Sequence, residues 1–157
     1  MNDLFFKVER KGIFSTFQDS GFFNLQHLGI STGGVMDRNL FKISNKILNN
    51  NLNECVIEFA YQGPRLKLVS GTAKVVVAGN VHFTIERNSS FNSINHFNPF
   101  QTYVLNEGDV LDILATKQSV YGYLAIQGGF KVDRFKNIAS TLTRSKIGAN
   151  NGNKISD

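Results

Sequence analysis

Between Ser15 and Arg38 the chain gathers four Gly, two Asp, two Gln, one His and one Arg into 24 residues. They fall in three runs: Ser15-Thr16-Phe17-Gln18-Asp19-Ser20-Gly21, Gln26-His27-Leu28-Gly29-Ile30 and Gly33-Gly34-Val35-Met36-Asp37-Arg38. Gly-rich backbone lets main-chain N–H groups face a ligand, and this one leads into a predicted helix N-terminus, which favours anions. An Asp beside a Gln can pair with an amide edge, because the carboxylate accepts while the carboxamide both donates and accepts. The same residues also build a tight loop, with Asp37 capping the helix and Asp19 closing a turn. A third carboxylate, Glu58, stands in the apolar run Val56-Ile57-Glu58-Phe59. Facing inward it must be paired or hold a raised pKa, which suits acid–base work; alternation could equally turn it to solvent. His27 can carry a proton near neutral pH or serve the loop's structure.

Other devices are missing from the sequence. It has no Gly-x-x-x-x-Gly-Lys-Ser/Thr phosphate loop, no Gly-x-Gly-x-x-Gly opening a helix and no Gly-x-Ser-x-Gly elbow. His27, His82 and His96 each lack a second ligand at metal-binding spacing, so no metal site is expected. The single cysteine, Cys55, rules out a disulfide framework and reads as a buried, inert thiol.

The elements that must position these residues read mainly as short strands. Strands are predicted over 5–9, 13–18, 56–60, 65–69, 73–78, 82–86, 102–105, 110–115 and 121–126, broken by turns such as Gln62-Gly63-Pro64 and Asn106-Glu107-Gly108-Asp109. One helix is predicted from Asp37 to about Leu48, with Leu40, Ile43, Ile47 and Leu48 on one stripe and the Asn49–Asn51 run ending it. Such a series of strands with one helix predicts a barrel or sandwich rather than alternating β-α units.

At 157 residues, with 41% hydrophobic and 18% charged residues, the chain fits one domain with a real core, not a disordered chain or coiled coil. The barrel domain is expected over 1–147, with 148–157 as a linker or frayed end. The net charge of +5 is lopsided. Lys131, Arg134, Lys136, Arg144, Lys146 and Lys154, offset only by Asp133 and Asp157, put +4 on the segment after residue 130. That reads as a solvated basic segment or a docking surface for an acidic partner or the rest of a larger protein. No nucleic-acid reading module accompanies it. The N-terminus lacks a signal-peptide pattern and no apolar run is long enough to cross a bilayer, so no membrane association and a cytoplasmic location are expected.

The loop carries a resemblance. Thr16, Gln18, Asp19, Gly21, Gly29, Gly34, Met36 and Asp37 fall in step with the biotin-dependent carboxyltransferase-like family that includes allophanate hydrolase subunit 2, KipA and the C-type subunit of 5-oxoprolinase. Asn45, Asn50, Ile57-Glu58-Phe59, Gly63-Pro64, Ala78-Gly79, Glu107-Gly108-Asp109, Tyr123-Leu124-Ala125-Ile126, Gly128-Gly129 and Ser140-Thr141 continue it in order. Three places depart: Phe22 replaces an Arg and Asn24 a Gly, Asn80 replaces an Asp, and Ala139 stands where the family's Gly-Ser-Arg-Ser-Thr has its Arg. The chain has roughly half the family's usual length and resembles its N-terminal half.

The resemblance implies a mainly β, cyclophilin-like barrel with one principal α-helix. It implies ATP-dependent opening of 5-oxo-L-proline to L-glutamate together with A-type and B-type subunits, and with a separate C-terminal half as a further partner. ATP and Mg2+ would then belong to the assembled complex, with no cofactor assigned to this chain. On this reading Asp19, Glu58 and His27 are the catalytic candidates, and Gln18, Thr16, Gly33, Gly34 and Asp37 hold a small amide or lactam substrate. The alternatives are a non-catalytic binding or regulatory module like KipA, or a urea carboxylase or allophanate hydrolase type of subunit.

Overall fold

A computed structural model describes residues 4–88 and 94–156 of the chain. The elements run β1 (Phe5–Arg10), β2 (Phe14–Gln18), α1 (Arg38–Ile47), β3 (Val56–Ala60), β4 (Arg65–Ser70), β5 (Thr72–Ala78), β6 (Val81–Glu86), β7 (Ile94–His96), β8 (Thr102–Asn106), β9 (Val110–Thr116) and β10 (Tyr121–Ile126). Every predicted strand forms, within two residues at each end. The three-residue β7 has too short an apolar pattern to be read from sequence. The fold is mainly β, two antiparallel sheets with one principal helix, consistent with the cyclophilin-like expectation.

One sheet has the order β1-β4-β9-β6-β7 and the other β2-β3-β10-β5-β8. Their facing sides share the main core, in which Phe59, Leu68, Val75, Val77, Phe83, Ile85, Leu111, Ile113 and Leu124 are fully buried. Each such side chain contributes roughly 1.5–3 kcal/mol of burial. β3 is buried at all five positions because both its faces are covered. Ile57 and Phe59 point between the sheets, while Val56 joins a second cluster with Val35, Phe41, Leu48, Val76, Tyr123 and Ala125 beneath α1. Strand alternation therefore sends Glu58 to the helix side, away from both the inter-sheet core and open solvent.

α1 starts as its sequence demands. Asp37 is the N-cap, its Oδ1 accepting from the Asn39 and Leu40 N–H groups at 2.9 and 3.0 Å. Asn49 takes the left-handed conformation beyond the helix, at φ 55°. Asn45 and Asn50 then tie that end to the sheet. Asn50 Nδ2 donates to the Ile126 carbonyl and to Asn45 Oδ1, and the Gly128 N–H donates to Asn50 Oδ1.

The segment after Gly148, expected as a linker or frayed end, lies against β2. Ala149 and Ile155 are buried, and the Ile155 N–H donates to the Ser15 carbonyl at 2.9 Å.

The β8–β9 turn is closed by a buried carboxylate. Asp109 accepts from the Asn106 and Asn88 N–H groups, both at 2.9 Å, and from Arg87 Nη1 at 2.8 Å. Burial alone would raise its pKa, but these donors outweigh burial and hold it below the ordinary carboxylate value. Its stabilising contribution is full above the unfolded-state value of about 3.9 and is lost as pH falls through the lower folded value. Asp109→Asn should lower stability by about 2 kcal/mol in urea unfolding at pH 7, with the gap to wild type closing in acid.

Candidate functional site

Strand register builds a polar row on the helix side of the second sheet. Thr16 pairs with Glu58 across β2 and β3, and Glu58 pairs with Tyr123 across β3 and β10. Direct partners in such a ladder hold their Cβ atoms about 5 Å apart on one face. α1 packs on β10 and β5, so it leaves the β2–β3 side of this row to the loop that joins β2 to α1.

Glu58 is only 4% exposed. Its Oε2 accepts from the Met36 N–H at 2.7 Å and from the Tyr123 hydroxyl at 2.8 Å. The Tyr123 oxygen in turn accepts from the Asp37 N–H at 2.7 Å, so the phenol's one proton is committed to Glu58. No Lys, Arg or His among the described residues forms an ion pair with Glu58. Burial raises the Glu58 pKa, and the Met36 and Tyr123 donors offset it only in part. Burial, reinforced by the neighbouring Glu58, likewise raises the Tyr123 pKa and keeps it a phenol.

The hydrogen-bond pattern fixes where a Glu58 proton sits. Oε2 already takes two donors, so the proton of the neutral acid belongs on Oε1, which makes no hydrogen bond among the described residues. In its protonated form, which burial favours, Glu58 offers a carboxylic O–H, a donor able to polarise a carbonyl and then to take the proton back as a base. Tyr123 and the Met36 N–H are the parts that the chain's own motifs did not mark as functional. The run Tyr123-Leu124-Ala125-Ile126 contained the signal, but only the pairing register reveals that Tyr123 meets Glu58.

Beside this row, Gln18 Nε2 donates to Thr16 Oγ1 at 2.9 Å and to the Thr141 carbonyl at 3.1 Å. A carbonyl only accepts, so the carboxamide nitrogen must face Thr141 and the orientation of the amide is settled. Gln18 Oε1 is consequently a buried acceptor without a partner among the described residues. An orphan of this kind costs about 1–3 kcal/mol. Since Gln18 is 5% exposed, a ligand reaches that oxygen only if the neighbouring loop shifts.

Asp19 is turned elsewhere. It is 1% exposed. Its Oδ1 accepts from the Gly21 N–H at 2.9 Å and from the Ser140 hydroxyl, and its Oδ2 accepts from the Ala139 N–H at 2.7 Å. Arg134 Nη1 stands 3.9 Å from Oδ2. This carboxylate staples the loop after β2 to the 139–141 segment. The two sequence departures at lost arginines take structural form here: Ala139 contributes its N–H to Asp19, while Phe22 is fully buried with Ile30 and Leu142. Arg134 is the cation that approaches Asp19 from a different position in the chain.

The remaining candidates divide. Asp37 joins the row through its N–H to Tyr123 while its carboxylate caps α1. Gly34 has φ 82°, and a Cβ there would come within 2.6 Å of the Ser20 carbonyl oxygen, so only Gly lets this loop close. Gly33 lies against the Leu142 side chain in the same loop. His27 sits exposed on the 3-10 turn Gln26–Leu28, without a hydrogen bond to another described residue. Cys55 is buried beside Val56, and burial followed by the nearby Asp19 charge pushes its thiol up to about 12, far from a reactive thiolate. Among the described residues no three His, Cys, Asp or Glu stand together as a metal set. None of their helices is long and apolar enough to cross a membrane.

The family described as carboxyltransferase domain, subdomain A and B, matches residues 28–157. The chain is 30% identical over 138 residues to the C-type subunit of the 5-oxoprolinase of Haemophilus influenzae, covering 88% of this chain and 42% of that protein. It is 28% identical over 148 residues to the urea amidolyase of Lachancea kluyveri, covering 94% of this chain and 8% of that protein. The crystal structure of the Kluyveromyces lactis urea carboxylase superposes with a TM-score of 0.86 at 24% identity, over 96% of this chain and 13% of that one. The chain thus spans less than half the length of each of these relatives.

Proposed function

The chain belongs to the carboxyltransferase domain family, subdomain A and B, and on that premise we propose that it is a component of an ATP-dependent 5-oxoprolinase. In this reading it works with A-type and B-type subunits, and with a separate C-terminal half, to open 5-oxo-L-proline to L-glutamate. The observation that carries the reading is Glu58, a buried carboxyl with no counter-cation among the described residues and a raised pKa, held by Tyr123 and the Met36 N–H. Glu58 donates through Oε1 to the lactam carbonyl oxygen and stabilises the negative charge that builds there as the ring amide is attacked. Gln18 Oε1 accepts the lactam N–H once the loop containing Gly33 and Gly34 shifts. ATP and Mg2+ enter with the assembled complex.

The test is glutamate release from 5-oxoproline and Mg2+–ATP with A-type and B-type partners. Parallel mixtures contain this chain, a full-length C-type homologue, or neither. Glutamate above the blank with this chain is the expected result. A folded chain that gives none, while the full-length control works, overturns the reading.

A second reading, a non-catalytic binding module like KipA, is favoured by Asp19 and Phe22. The Asp19 carboxylate is committed to Gly21, Ala139 and Ser140, and Phe22 fills a small apolar cluster. It predicts tight binding to a B-type subunit with no turnover in the same mixtures. The urea amidolyase relatives keep urea-derived amides as the alternative substrates of the Glu58 site.

A further inference from the structure

The polar row around Glu58 holds a carboxyl, a phenol, a hydroxyl and a carboxamide, but no cation. β2, β3, β10 and the loop from Asp19 to Asp37 contain neither Lys nor Arg. The buried Gln18 Oε1, without a partner among the described residues, marks the row as a place for a ligand. A ligand carboxylate drawn into this row would be buried without a counter-charge, at a large cost. An anionic ligand must therefore set its carboxylate where the row meets a cation at the surface. Arg134, which approaches the same loop, already faces Asp19 at 3.9 Å. On α1 the cations are Arg38, its first residue, and Lys42 and Lys46, which stand about 6 and 12 Å further along the helix.

Arg38 is the one placed for that task. It follows directly on two residues whose N–H groups grip the row, Met36 on Glu58 and Asp37 on Tyr123, each at 2.7 Å. Two residues of chain span at most about 7 Å, so the long Arg38 side chain can meet a small ligand seated on Glu58. Side chains of a first helical turn lean toward the helix N-terminus, and here that direction leads to the loop. The Arg38 guanidinium lies over the exposed Phe23 ring, 5.5 Å from its centroid, at the start of the same loop. An arginine held by a ring face keeps its N–H fork open to a carboxylate. No carboxylate among the described residues comes within 4 Å of it. Local stability does not account for an arginine at this position. Its charge opposes the helix dipole, no acid follows in the first turn, and Lys42 repels it from one turn on.

We propose that Arg38 is the specificity residue of the Glu58 site. It binds the carboxylate of an anionic amide, 5-oxo-L-proline in the reading above, and so separates that ligand from neutral amides such as urea. The inference rests on the lactam reading and adds the residue that selects among its substrates.

The probes are 5-oxo-L-proline and 2-pyrrolidinone, the same lactam without the carboxylate, each titrated into the whole 157-residue chain while the Met36 and Asp37 amide resonances are followed. The anionic lactam should bind at least about tenfold more tightly than the neutral one, and raised salt should narrow the gap. Arg38→Met keeps the stem and removes the charge. It should abolish the preference while leaving 2-pyrrolidinone binding unchanged, and Arg38→Lys should restore part of it. Circular dichroism checks that both variants fold. Equal binding of the two lactams by wild type, or a preference that survives in Arg38→Met, overturns the role of Arg38 and leaves the lactam reading intact. A folded Arg38→Met that loses both lactams equally overturns it too, since Arg38 would then shape the loop instead of choosing the ligand. Failure of wild type to bind either lactam, or shifts that spare Met36 and Asp37, overturns the lactam reading and this inference together.

Discussion

Replacing Glu58 with Gln is expected to cut glutamate release by roughly 10²–10⁴-fold in the reconstituted mixture, the usual range for losing a positioned acid–base group. The fold should not suffer. A Gln carboxamide oxygen can take the place of Oε2 and keep the bonds from Met36 and Tyr123, while its nitrogen replaces the Oε1–H donor. The direction of the stability change follows from the raised pKa. The unfolded chain ionises Glu58 near the ordinary value, whereas the folded chain holds the proton to higher pH. Glu58 therefore destabilises the fold progressively as pH rises above the unfolded value, and the effect is complete only above the folded one. Glu58→Gln removes that cost, so its urea midpoint at pH 8 should equal or exceed that of wild type. A variant that loses both activity and stability would instead show that Glu58 is a structural acid.

Asp19→Ala should have the opposite signature, a large loss of stability. The substitution strips acceptors from the buried Gly21 and Ala139 N–H groups and from the Ser140 hydroxyl, and leaves Arg134 without its nearest carboxylate. Removing one partner from a buried, charged hydrogen-bond network costs about 3–5 kcal/mol. Asp19→Asn keeps the shape but must set an amide nitrogen against one of these donors, so it should also destabilise, though less. Urea unfolding followed by far-UV circular dichroism measures both. An Asp19→Ala protein as stable as wild type, yet inactive, would return Asp19 to the substrate.

These two carboxylates show what could be read from the chain and what could not. The strands were legible because their apolar runs are short, rich in Val, Ile and Phe, and bounded by Gly, Asn and Pro turns. The helix was legible because its cap and its Asn-rich end are local signals. Glu58 was legible as a carboxylate in an apolar run, but which way it faced was not. That depends on β3 having both faces covered, a property of the sheet order rather than of five residues. Tyr123 was hidden for the same reason, since it lies 65 residues from Glu58 and meets it only through the β3–β10 register. Asp19 looked like a ligand-facing group because its neighbours in sequence suit one. Its actual partners, Ala139 and Ser140, come from about 120 residues further along the chain. The C-terminal segment misled by composition: its Gly and Asn residues read as a linker, whereas Ala149 and Ile155 are buried and the Ile155 N–H ties the segment to β2.

Everything proposed for the site depends on Glu58 being a neutral acid over a range of pH in which ordinary glutamates are ionised. Carboxyl carbon chemical shifts of selectively labelled Glu, followed through a pH titration with Glu58→Gln to assign the resonance, test it most directly. Glu58 should titrate clearly above the ordinary value of about 4.3, well separated from Glu86, which Arg65 holds below it. A Glu58 resonance that titrates at or below the ordinary value would contradict the proposed role, because the site would then present a carboxylate in place of a proton donor.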